Sequence, residues 1–235
     1  MKISIVIPAF NEEKVIATTI KAYQDFLSKR NVDFEIIVVN DGSGDSTEAI
    51  IHQFKDVICV SYNKNRGKGY AVKRGVLRAT GDYIFFTDAD LSYAPENVLK
   101  ALFLFDKKTF SGVVGIRENL SRDYPFLRRI MSRVFATFVR LVLPTDIPDT
   151  QCGFKGFDKK TGREIFSRLQ TFDFSFDFEV IYLSHVLGKS LVGLPVSFAH
   201  RSATRVRPVR DFLKAVKSMI FIRRRKTNEA FKIQS

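Results

Sequence analysis

Asp88 and Asp90 stand one residue apart in Asp88-Ala89-Asp90, directly after the apolar run Tyr83-Ile84-Phe85-Phe86-Thr87. A short apolar run of this kind reads as a buried strand. Acids two positions apart at a strand's end can face a cleft together. Such a pair suits a hard divalent cation, Mg²⁺ or Mn²⁺, that keeps positions open for diphosphate oxygens. Asp-x-Asp also occurs in ordinary turns, so its meaning rests on the surrounding elements.

Those elements alternate. Strands are expected at 3–7, ended by Pro8, and at 34–39, 57–60, 83–87, 112–116 and 191–196. Between them, apolar residues recur at helical spacing, as in Val15, Ile16, Ile20, Tyr23 and Phe26-Leu27. Asn11 is read as the cap of that first helix, and Asp45 or Ser46 as the cap of the second. A glycine-punctuated turn at Gly67 and Gly69 leads into a helix ending near Gly81. Further helices are expected at 95–105 and 176–187. Continuous apolar strands alternating with helices predict an α/β fold, a mostly parallel sheet covered on both faces. Ligands in such sheets bind at the carboxyl ends of strands, where Asp41 and Asp88 both fall.

Charge is concentrated. The net charge of +13 resides in two stretches, 117–140 with +4 and 201–235 with +9, so the remainder is neutral. A basic surface confined in this way argues for a localised anionic partner, either a phosphate-bearing substrate, a membrane face or nucleic acid. The segment 124–143 has a helical period of large apolar residues interrupted by Arg128, Arg129, Arg133 and Arg140. It reads as an interfacial helix on an anionic bilayer, with a solvated charged face as the plainer alternative. The basic amphipathic segment 207–235 ends an expected helix in Arg223-Arg224-Arg225-Lys226 and reads the same way. No apolar run is long enough to span a bilayer, and Met1-Lys2 runs straight into a strand with no expected signal peptide. Cys59 and Cys152 offer neither a disulfide framework nor metal-ligand spacing. His52, His185 and His200 are too scattered for a metal site. Residues 1–206 read as one catalytic domain.

Several stretches together resemble one family. Val6-Ile7-Pro8-Ala9-Phe10-Asn11-Glu12-Glu13 is similar to the opening of family 2 inverting glycosyltransferases. Val39-Asn40-Asp41-Gly42-Ser43-Gly44-Asp45-Ser46-Thr47 is similar to their nucleoside-binding turn, with Asn40 where an aspartate is usual. Asn65-Arg66-Gly67-Lys68-Gly69 and Ala79-Thr80-Gly81-Asp82 match the family's spacing before Asp88. Asp149-Thr150-Gln151-Cys152-Gly153-Phe154-Lys155 and Phe176-Asp177-Phe178-Glu179 resemble its polyprenyl-phosphate branch, the dolichyl-phosphate glucose synthases first and the mannose synthases next.

The resemblance implies a GT-A fold with appended amphipathic helices, and inverting hexose transfer from UDP-glucose or GDP-mannose to a membrane polyprenyl phosphate with Mg²⁺ or Mn²⁺. It implies that Pro8, Phe10, Glu12, Asp41, Lys68, Asp88 and Ala89 bind the nucleotide-sugar and that Asp90 ligates the metal. Arg117, Arg128 and Ser132 would contact the acceptor phosphate, with Arg201 and Arg205 closing over the substrates, and Asp149 and Gln151 lining the substrate site. Ser92 replaces a glutamine common in mannose synthases, which leans the reading toward glucose. The expected setting is peripheral, at the cytoplasmic face of a membrane, reached through the amphipathic pieces or a membrane-anchoring partner subunit.

Plainer readings accompany these. Asp41 can simply stabilise its turn, and Glu13 can complement a helix dipole. Phe176 and Phe178 read as core, Cys152 as a buried small side chain, His52 and His185 as structural or surface, and His200 as lining the acceptor entrance. Asp177 and Glu179 face either the site or solvent. Transfer to a sugar hydroxyl would need a carboxylate base, for which Asp149 is the candidate. A basic membrane- or nucleic-acid-binding module is permitted by a pI of 9.8, but the chain has no recognised nucleic-acid motif. A nucleotide-diphosphosugar pyrophosphorylase would start with a glycine-rich phosphate loop, which the first strand lacks.

Overall fold

The computed structural model describes residues 1–106, 109–117 and 145–199. Strands β1 (Lys2–Ala9), β2 (Asp33–Asn40), β3 (Val57–Ser61), β4 (Tyr83–Phe86), β5 (Gly112–Arg117), β6 (Lys155–Asp158) and β7 (Leu191–Val196) form one sheet in the order β3-β2-β1-β4-β6-β5-β7. The first four of these positions pair in parallel, as do β5 and β7. β6 runs antiparallel to both its neighbours.

Period two in the strands builds two cores. Ile3, Ile5 and Ile7 of β1 face α1 (Ile16–Ser28), whose Ile16, Ile20, Tyr23 and Leu27 form one fully buried stripe. α2 (Thr47–Ile51) and α4 (Glu96–Asp106) cover the same face. Val6, Ile37, Val39, Ile84 and Phe86 point the other way, against α3 (Lys68–Arg78), α5 (Lys159–Arg168) and α6 (Phe176–Val186). Each such side chain contributes roughly 1.5–3 kcal/mol by leaving water.

Several details depart from the sequence-based expectations. β1 runs past Pro8 to Ala9. Val6 accepts from Thr87 on the β4 side, so the missing N–H of Pro8, two residues on, falls beyond the last β1–β4 pair, Val6 with Phe86. Asn11 does not cap α1: it sits at φ 56° and its Oδ1 accepts from Gly44 N, while α1 begins at Ile16. Glu13 is likewise outside α1, and its Oε2 accepts from Ser46 N, tying the loop after β1 to the loop after β2. The helix expected to end near Gly81 stops at Arg78, and β6 and α5 had no counterpart in the expected elements. Asp45, rather than Ser46, supplies the contact at the start of α2, its Oδ1 accepting from Thr47 N and Oγ1. The expected helix over 124–143 and the segment 207–235 lie outside the described residues.

Ala79-Thr80-Gly81-Asp82 lies at the amino ends of the strands. There Glu35 accepts from Ser4, from Lys2 and from both Thr80 N and Oγ1, and Gly81 N donates to Ser4. The motif seals the rear of the sheet.

Candidate active site

At the opposite, carboxyl ends of β1, β2 and β4 opens a cleft of about 710 Å³. It gathers Pro8, Phe10, Glu12, Asp41, Lys68, Asp88, Ala89, Asp90, Arg117 and Gln151, all singled out in the sequence, together with Ser92. Asp149 stands behind Arg117. Arg128, Ser132, Arg201 and Arg205, with His200, lie outside the described residues.

Asp41 is a clamp. It is buried, and its two carboxylate oxygens accept from Arg66 N at 2.8 Å and Gly67 N at 2.9 Å. The carboxylate thereby holds a loop 25 residues further along the chain against the cleft, a wider role than stabilising its own turn. Gly67 has φ 97°, and a Cβ there would lie 2.3 Å from Phe172 O, so only glycine fits. The loop delivers Lys68 to the start of α3.

Lys68 Nζ donates to Asp88 Oδ1 at 2.5 Å. Burial pulls the ammonium toward neutrality, but Asp88, Asp177 and Asp90 outweigh it and hold its pKa above the ordinary value. Asp88 packs against Gly153, where a Cβ would meet its Oδ2 at 2.2 Å. Gly153 N in turn donates to Tyr93 Oη. Asp90 Oδ1 accepts from Ser92 N, closing a tight turn after β4 in which Leu91 has φ 55°. Ser92 is buried, and its carbonyl accepts from Ala199 N.

Five carboxylates (Glu12, Asp41, Asp88, Asp90 and Asp177) face two cations (Lys68 and Arg117) across the cleft. The Glu12 carboxyl is pushed above its ordinary range, first by burial and then by the negative charges of Asp90 and Asp88. A divalent cation would relieve that crowding. Among the described residues these acids do not converge into an enclosed ligand cluster. The all-oxygen donor set fits a hard divalent cation that completes its shell with phosphate oxygens.

Across the cleft, Arg117 at the end of β5 makes a bidentate pair with Asp149. Nε donates to Oδ2 and Nη2 to Oδ1, each at 2.7 Å, and Arg117 N also donates to Oδ2 at 3.1 Å. Burial would lower the pKa of the guanidinium, but Asp149 outweighs it and raises it. The Nη1 edge has no hydrogen-bond partner among the described residues. Phe198 lies 5.6 Å from the guanidinium carbon. Asp149 is thus committed through both oxygens, which fits a positioning role better than that of a general base.

The two acids of Phe176-Asp177-Phe178-Glu179 are both buried, while Phe176 and Phe178 are core as expected. Asp177 lines the cleft and pairs with Lys155, whose side chain is fully buried and also donates to Cys152 O at 2.6 Å. Glu179 accepts from Gln170 N and Thr171 N, holding the loop that carries Phe172 and Phe174. Phe174 is 73% exposed at the cleft's lip. Tyr93, Phe174, Phe198 and Lys155 were not singled out as site residues in the sequence. A lone aromatic or lysine carries no spacing signal; only the fold brings the three aromatics to the cleft and Lys155 to the buried side of Asp177. The Cys152 thiol is fully buried and pushed up to about 11, mainly by burial, as a small core side chain would be.

A mostly parallel sheet with a cleft at its carboxyl edge and an Asp-x-Asp turn at the β4 exit is the arrangement of the GT-A fold. Solved structures agree on the fold. Glucosyl-3-phosphoglycerate synthase from Mycobacterium tuberculosis, in complex with Mn²⁺, UDP and phosphoglyceric acid, superposes with a TM-score of 0.72 at 21% identity, covering 94% of this chain and 76% of that one. The sequence model of Glycosyl transferase family 2 matches residues 4–166, and the chain belongs to that family. Among curated relatives, dolichyl-phosphate beta-glucosyltransferase of Dictyostelium discoideum is 31% identical, covering 99% of this chain and 77% of the relative. The Homo sapiens protein of the same name is 27% identical, with 99% and 78% covered.

Proposed function

We propose that the protein transfers glucose from UDP-glucose to the phosphate of a membrane polyprenyl phosphate, dolichyl phosphate in the first instance. The observation that carries this reading is the opposition of a carboxylate-rich wall, Asp88 to Asp90, and a pre-oriented arginine, Arg117, across one cleft. The names of the relatives supply the sugar and the acceptor.

A phosphate monoester is already anionic at neutral pH, so its oxygen attacks the anomeric carbon without surrendering a proton to a base. The new C1–O bond forms as the bond to the diphosphate breaks, UDP departs, and the configuration at C1 inverts. Asp41, Pro8, Phe10 and Glu12 hold the nucleoside end. Lys68 sits beside Asp88 where diphosphate charge gathers. Mg²⁺ or Mn²⁺, held by Asp90 beside Asp88, would supply Lewis-acid stabilisation of the leaving diphosphate when bound. Arg117 offers a planar fork to the acceptor phosphate, joined by Arg128 and Ser132, with Arg201 and Arg205 closing over both substrates. The commitment of Asp149 to Arg117 suits an acceptor that needs no base.

Among the described residues no helix is long and apolar enough to cross a membrane. We place the protein at the cytoplasmic face of a membrane, held peripherally by the basic stretches 124–143 and 207–235 on anionic lipid, or by a membrane-anchoring partner subunit. The test is a transfer assay pairing radiolabelled UDP-glucose or GDP-mannose with polyprenyl phosphate or an oligosaccharide. Label moving from UDP-glucose to the lipid phosphate supports the proposal. Label moving from GDP-mannose, or to the sugar hydroxyl alone, overturns it.

A further inference from the structure

Glu48, His52 and Cys59 lie apart from the cleft, at the edge of the sheet. Glu48 is in α2, His52 closes that helix one turn later, and Cys59 is in the edge strand β3. The spacing of the cysteines and histidines gives no metal signature in the sequence. The fold supplies one by folding α2 back over β3. Cys59 faces the side of the sheet that α1 and α2 cover, and the three ligand atoms lie within 4.8 Å of one another. Among the described residues no other three histidine, cysteine or acidic ligand atoms converge in this way.

We infer that these three side chains bind one thiophilic divalent cation, Zn²⁺ by ligand chemistry, with a fourth position left to water. A thiolate, an imidazole and a carboxylate are the donor types Zn²⁺ takes, whereas Mg²⁺ and Ca²⁺ prefer all-oxygen shells. His52 Nε2 is 3.8 Å from Glu48 Oε1. Tetrahedral Zn²⁺ at ordinary bond lengths places such ligand atoms about 3.4–3.6 Å apart, so the three side chains must draw together on binding, and the exposed His52 and Glu48 side chains have room to turn. The carboxylate is already oriented. Asn40, buried at the end of β2, donates from Nδ2 to Glu48 Oε2 at 3.0 Å and contacts Ser61 Oγ through the same nitrogen. That leaves Oε1 turned to His52, the kind of support that ligating carboxylates have. Bound metal clips α2 to the edge strand, and Asn40, which holds Glu48, immediately precedes the Asp41 clamp. The inference does not depend on which sugar or acceptor the cleft takes.

The chelator-stripped protein is titrated with Co²⁺ in excess Mg²⁺, which occupies oxygen-only sites, and then with Zn²⁺. The expected result is one Co²⁺ per chain with a thiolate-to-cobalt charge-transfer band in the near ultraviolet, displaced by Zn²⁺. Cys59→Ser abolishes the band. His52→Ala, at an exposed position that leaves folding intact, weakens Zn²⁺ binding at least about tenfold. Cys152→Ser and Asp90→Asn leave both unchanged. Absence of the band, its survival in Cys59→Ser, or its loss in Cys152→Ser would overturn the assignment.

Discussion

The two halves of the sheet handle charge in opposite ways. Where β1, β2 and β4 end, carboxylates enter the cleft in excess, and Glu12 is raised by burial and by its acidic neighbours Asp90 and Asp88. At the end of β5 the cation that lines the cleft arrives already paired, Arg117 with Asp149, and beneath the cleft the buried Lys155 of β6 holds Asp177. One half leaves a deficit that an incoming cation removes. The other fixes the direction of its cations before any ligand arrives, which lowers the ordering cost of binding an anion. A glycosyltransferase that joins two anionic substrates needs both arrangements in one cleft.

The comparison can be broken most sharply at Asp90. Asp90→Asn should lower turnover by at least about 10²-fold, read as glucose transfer at saturating Mn²⁺. Unchanged turnover would remove the acidic wall from the chemistry. Arg117→Ala should cost about 10²-fold in kcat/KM for the lipid phosphate while calorimetric UDP affinity stays within about twofold. Equal losses would assign Arg117 to the nucleotide half instead.

Stability distinguishes the sealed pair from surface pairs. Lys155→Ala strands the buried Asp177 and should cost about 3–5 kcal/mol in urea unfolding, with the double change Lys155→Met, Asp177→Leu recovering much of it. Breaking the exposed Arg168–Glu164 pair should cost under about 0.5 kcal/mol.

A further effect concerns pH at the rear of the sheet. Burial alone would raise the Glu35 carboxyl, but hydrogen bonds from Ser4, Thr80 and Lys2 outweigh it and lower it from 4.5 to about 2. A depressed folded-state value means that the stabilisation is complete above about pH 4.5 and is lost as pH falls toward 2, on the order of 2 kcal/mol in all. Glu35→Gln should flatten the stability profile across that window, and an unaltered slope would refute the assignment.

The elements legible in the sequence were those whose burial is written in local composition. β7 matches its apolar run residue for residue, and β2 and β3 differ from theirs by a residue or so at the ends. β6 was not legible because Lys155-Gly156-Phe157-Asp158 is short and half polar. It becomes a strand only by pairing with β4 and β5, both remote in sequence. Asn11 and Glu13 were misread for a related reason. Their side chains serve a loop some 30 residues away, while local rules assign them to the nearest helix. In the site, Asp88 and Asp90 stood out because strand ends and alternating positions fix where acids point. Tyr93, Phe198 and the Glu48, His52 and Cys59 cluster exist only through tertiary convergence.

A crystal soaked with UDP-glucose and Mn²⁺ tests the division of labour most directly. The account predicts diphosphate and metal density against Asp88 and Asp90, the nucleoside beside Asp41, and C1 of the glucose open toward Arg117. Diphosphate density remote from residues 88–90, or a glucose whose C1 turns away from Arg117, would contradict it.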